Sequence, residues 1–156
     1  MNIQQAAWAP IVFPLDGLAQ TISAVNYTVQ FETLQFSFEG SAEMTLEDLQ
    51  KLYPNYPVAG KLEPCSFIDA QKLVHYCLSY HVKGSIPEYD PQSDLTMARF
   101  LTFWNLIKEM IEIPTTQVYI HKPDFNSHFH FGTTWNFCIV LIHGTQGLVI
   151  SGNAFD

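Results

Sequence analysis

Four histidines fall within a short C-terminal stretch: His121, His128, His130 and His143. His128 and His130 are two residues apart, and on a β-strand such side chains leave the same face about 7 Å from one another. Both could then reach one divalent ion. His121 or His143 would add a third imidazole from a neighbouring strand, and Asp124 a carboxylate. Three imidazoles around an open position make a catalytic zinc or iron site. The stretch holds no H-E-x-x-H helix motif and no downstream glutamate of the kind that accompanies H-x-H in small metal-binding barrels. The same alternation also turns Phe129 and Phe131 to a core and both histidines to solvent. A His-rich metal-dependent enzyme is therefore one of two alternative readings.

Other catalytic signatures are weaker. Cys77 and His81 are four residues apart on an expected helix, where a thiol and an imidazole can meet. Cys77 belongs to the apolar stripe of that helix, however, and a buried thiol is a poor nucleophile. No G-x-S-x-G motif occurs, and the eight glycines are scattered rather than gathered into a phosphate cradle. The sequence assigns no catalytic residue and no cofactor. Arg99, the lone arginine, is expected to pair within the fold, with Asp94 or an N-terminal glutamate.

Charge carries more information. The chain holds 15 Asp and Glu against 7 Lys and Arg, a net charge of −8. Nucleic-acid binding needs cations to displace phosphate counterions, and the supply is too thin for it. No Lys or Arg precedes Lys51, whereas Asp16, Glu32, Glu39, Glu43, Glu47 and Asp48 do. A field of that sign steers a basic partner inward. Glu32, Glu39, Glu43, Glu47 and Asp48 are the candidate partner-binding residues. The leading expectation is a small acidic cytoplasmic protein that masks a basic protein partner, of the inhibitor or immunity-protein type. The comparison is one of size and acidity. The second alternative is a non-catalytic oligomeric subunit or scaffold.

Composition frames these readings. Charged residues are 14 % of the chain against about 25 % in an average domain. So uncharged a surface suits a partner or a homo-oligomer. Tyr53, Tyr56, Tyr76, Tyr80 and Tyr89 add interface-type side chains. Three cysteines, Cys65, Cys77 and Cys138, fit neither a disulfide nor a zinc framework and suit a reducing compartment. No basic segment opens a secretion signal, and no apolar run reaches the roughly 18 residues of a spanning helix.

The elements that must position these residues follow from periodicity. One domain over 1–156 is expected, of α+β class, with a mostly antiparallel sheet and two main helices on one face. A short helix follows Pro14. Residues 26–39 alternate with period two and read as strand, either broken at Glu32–Leu34 or bent there. Thr45 caps a helix ending before Pro54. Tyr53–Pro64, with three prolines, reads as loop. Ser66 caps the next helix, with Gly84 placed to end it. Ser93 or Asp94 starts a helix to about Glu112, whose broad apolar arc predicts burial on more than one side. Gln117–Ile120, His128–Phe131, Trp135–Ile142 and Leu148–Ser151 read as strands.

Overall fold

The computed structural model describes residues 1–4, 13–23, 28–79, 94–113, 115, 117–129 and 133–155. Ten elements run in the order β1 (Asn2–Gln4), α1 (Phe13–Ile22), β2 (Thr28–Glu39), α2 (Leu46–Leu52), β3 (Gly60–Cys65), α3 (Phe67–Leu78), α4 (Asp94–Met110), β4 (Gln117–Pro123), β5 (Trp135–His143) and β6 (Gln146–Phe155). The strands form one six-stranded sheet in the order β1-β2-β6-β5-β4-β3, antiparallel throughout. The expected α+β class and antiparallel sheet are borne out.

The sheet separates two cores because its side chains alternate faces. Odd positions of β5 and even positions of β6, among them Phe137, Ile139, Leu141, Leu148 and Ile150, pack under α1, α3 and α4. Val140, Ile142 and Val149 point the other way and meet Leu49 and Leu52 of α2. Both faces of β5 are covered, as its continuous apolar run requires. β2 is one unbroken strand through Glu32–Leu34. Its outer residues Val29 and Phe31 join the first core, and Leu34, Phe36 and Phe38 join the second. The apparent break in its pattern is thus a change of which face is covered.

The helix starts match the capping residues. Thr45 and Asp48 form a reciprocal capping box on α2, and the Ser66 hydroxyl accepts from the Asp69 amide on α3. The end of α3 comes at Leu78; Gly84, His81, Tyr80 and Tyr89 lie outside the described residues.

Three expectations need correction. Tyr53–Pro64 is not all loop, because Gly60–Cys65 forms β3 against β4. Pro64 is tolerated there since β3 is the outermost strand, where one missing donor does little harm. Second, His128 is not in a strand. The Asp124 carboxylate accepts from the Asn126 amide, the Asp124 carbonyl accepts from Ser127, and the His128 amide donates to Pro57. These bonds wind residues 125–129 into turns instead. Third, the apolar arc of α4, packed on the sheet and against α1 and α3, is not wholly covered. Phe103 and Ile107 are fully buried, but Met97 and Leu101 are 52 % and 63 % exposed.

Candidate functional site

His121, His128 and His143 do not converge. His143 lies beyond the Gln117↔Ile142 end of the β4–β5 pairing, and His121 beyond the Ile120↔Ile139 end. His121 is buried, with Nε2 3.0 Å from the Ala59 carbonyl. Burial lowers its pKa, against a smaller upward pull from that carbonyl and from Asp124. His128 stacks on Tyr56 at 4.0 Å. The His143 Nε2 lies 3.2 Å from Glu112. His130 falls outside the described residues. Among those described, no group of three His, Cys, Asp or Glu side chains can hold a metal ion.

The thiols are no better placed for chemistry. Burial pushes Cys77 up to about 12 and Cys138 higher still, so both are neutral core residues at ordinary pH. Cys65 is half-buried and also raised, by burial and then by Asp69. Arg99 makes a backbone contact to α1. It donates to the Thr21 carbonyl at 2.8 Å, joining α4 to the carbonyl end of α1.

The acidic residues separate into three groups. Asp48 is 2 % exposed, and its carboxylate accepts from the Thr45 amide and hydroxyl and from Lys51. Burial alone would raise its pKa, but the bonds from Lys51 and Thr45 outweigh that and hold it low. Asp48 therefore builds α2 and is not a surface for a partner. Glu39, Glu43 and Glu47 are exposed around the start of α2. Glu39 accepts from Gln4, and Lys51 is the nearby cation on the helix.

Glu32 belongs to a cleft. A space of about 450 Å³ is lined by Asp16, Gln30, Glu32, His128, Asn153 and Phe155. Gln30 and Asn153 are cross-strand neighbours on β2 and β6. Glu32 faces His128 with Oε2 to Nε2 at 3.9 Å. Behind it, Ser151 pairs in register with Glu32 on one side and Cys138 on the other. The buried hydroxyls of Ser151 and Tyr53 have no hydrogen-bond partner among the described residues. The cleft thus presents two carboxylates, two amides and an imidazole over a polar strip of sheet. Those groups accept hydrogen bonds from a cation such as a guanidinium or ammonium.

Asp16 is not among the candidate partner-binding residues that the sequence offers. It comes from α1, and only the packing of α1 on β2 brings it to the cleft that Glu32 also lines. No sequence spacing could have announced that placement.

Comparison with known proteins rests on this architecture. No family model matches the sequence, and no curated protein sequence does. The chain is similar in fold to citrus MAF1. One crystal form of that protein aligns at a TM-score of 0.61 and 11 % identity, over 92 % of this chain and 98 % of that one. Another aligns at 0.56 and 12 %, over 91 % and 98 %. At such identity the likeness to MAF1 is one of fold alone. No helix among the described residues is long and apolar enough to cross a membrane.

Proposed function

We propose that this protein is a small binding protein that masks a basic segment of a protein partner, in a reducing compartment such as the cytoplasm. The observation that carries this reading is the approach of Asp16 and Glu32, from a helix and a strand, to one cleft. A lysine or arginine side chain entering it meets two carboxylates flanked by Gln30 and Asn153. The net charge of −8 and the exposed Glu39, Glu43 and Glu47 add a long-range field that draws such a segment in. The three free cysteines are consistent with reducing conditions.

Two roles follow for two sets of acids. Exposed ones act on the approach, and cleft ones on the bound complex. Reversing Glu39, Glu43 and Glu47 to Lys should slow association about tenfold or more at low salt, with little change in dissociation. Glu32→Gln should speed dissociation instead. The test captures proteins at low salt on the wild type and on both variants, then measures rates for any protein held by the wild type. A captured set that is the same for all three proteins sinks the reading.

A further inference from the structure

Six large apolar side chains stand exposed among the described residues, and four of them are on α3 and α4: Ile68, Tyr76, Met97 and Leu101. Solvent-facing apolar side chains scattered singly are ordinary, but two of these four, Met97 and Leu101, line one groove. Between the helices lies a groove of about 320 Å³. Its walls include Phe67, His75, Phe100 and Trp104, which brace one another. Phe67 meets Trp104 edge-on at 5.2 Å, and His75 stacks on Phe100 at 4.0 Å with the rings 4° apart. Walls locked in this way lose little freedom when something binds.

The groove has a length and a charge. Met97, Leu101, Trp104 and Lys108 recur at helical intervals along α4 and line it together. Eleven residues of helix span about 16 Å, three turns. In a chain of net charge −8 this stripe ends on a lysine. No carboxylate among the described residues pairs with Lys108, and Glu109 points about 100° away around the helix. Lys72, one turn after Ile68 on α3, lies 3.8 Å from Asp69, with its side chain 75 % exposed.

We infer that the α3–α4 groove receives one amphipathic helix of a partner protein, apolar on the face it buries and carrying a carboxylate opposite Lys108. A second copy docked through this same face fits less well, since it would set like lysines against each other. This surface is distinct from the acidic cleft and does not depend on it.

The test uses two labelled helical peptides of about 16 residues with Leu and Phe at i, i+4, i+7 and i+11. One carries Glu on its flanks and the other Lys. Binding is read by anisotropy and by the emission of Trp104 in the whole protein carrying Trp8→Phe and Trp135→Phe. The Glu peptide should change Trp104 emission and bind the wild type, and Leu101→Asp should weaken it at least tenfold. Lys108→Glu should weaken it too, and should improve binding of the Lys peptide in the groove. Both sites are exposed, so circular dichroism and Tm should match the wild type. Absence of binding by the Glu peptide at about 1 mM overturns the proposal, as does binding indifferent to Leu101. A concentration-dependent dimer abolished by Leu101→Asp also overturns it, in favour of a second copy.

Discussion

Gly147 lies directly beneath the ring of Phe36, its register partner on β2, with no room between them for a Cβ atom. The contact lies in the second core, where Phe36 is 2 % exposed. An alanine at 147 must push the ring into neighbours that are themselves packed. Overfilling of this kind costs about 1–3 kcal/mol. Urea unfolding of Gly147→Ala should show a loss in that range. Adding Phe36→Leu should recover part of it, as a double-mutant cycle would reveal. Independent, additive losses would mean that the ring is not what the glycine accommodates.

His75 accepts a hydrogen bond at Nε2 from the Trp104 indole at 2.8 Å, which requires the neutral ring. Burial lowers its pKa from 6.5. The unfolded chain therefore binds this proton first as pH falls. Stability should be full above about pH 6.5 and should decline below it until the folded protein is protonated too. His121 is lowered in the same sense and contributes a parallel decline. Comparing His75→Gln with the wild type between pH 7.5 and pH 5 isolates the first residue. The variant should lose about 1 kcal/mol at the upper end and show a shallower slope. Identical slopes would remove His75 from the account.

Asp48 acts in the same direction at lower pH. Its carboxyl is held below 3.8 in the folded protein, so its contribution is present above that value and lost as pH falls through the lowered one. Asp48→Ala removes the cap acceptor and leaves Thr45 unpaired. A loss of about 1–2 kcal/mol is expected at pH 7, shrinking toward pH 2. A penalty constant over that range would show that only packing was lost.

Thiol reactivity should rank by burial. At pH 8 a small alkylating reagent should modify Cys65 slowly and leave Cys77 and Cys138 intact, with all three reacting in denaturant. Mass spectrometry of the labelled peptides gives the order. Early modification of Cys77 would mean that α3 opens away from β5 far more often than its full burial suggests.

Gly60 is strained for any other residue. It has φ of +119°, and a Cβ there would strike the Lys122 carbonyl. Gly60→Ala should cost about 2 kcal/mol or more and loosen the β3–β4 pairing. Faster amide exchange confined to Gly60–Cys65 would locate the damage, and unaltered exchange there would refute it.

Helices and central strands were legible because their signals are local. Thr45 and Ser66 announce α2 and α3 by side-chain chemistry, and the run from Trp135 to Ile142 can only be a strand covered on both faces. β3 was hidden because Pro54, Pro57 and Pro64 argue against pairing, and sequence does not say that a segment will be the outermost strand. His128 was misplaced because alternation with Phe129 looks like a strand, while the bonds that decide the turn come from Asp124 and from distant Pro57. Asp48 was counted among the partner-facing acids although its position three after Thr45 already fitted a cap. The arc of α4 was read correctly as apolar, but periodicity reports which side chains avoid water and not whether anything covers them.

The placement of β6 has a consequence for how the molecule comes into being. It is the last strand among the described residues, yet it lies between β2 and β5 and joins the two halves of the sheet. Residues 28–39 find their main partner only at 146–155. During synthesis β2 must wait until residues 146–155 emerge, holding Phe31, Leu34, Phe36 and Phe38 without that partner. Contacts so remote along the chain make folding slow, of the kind measured in milliseconds to seconds rather than microseconds. A ribosome stalled before residue 146 would carry a chain with its sheet split in two, and that interval is when a chaperone would find it.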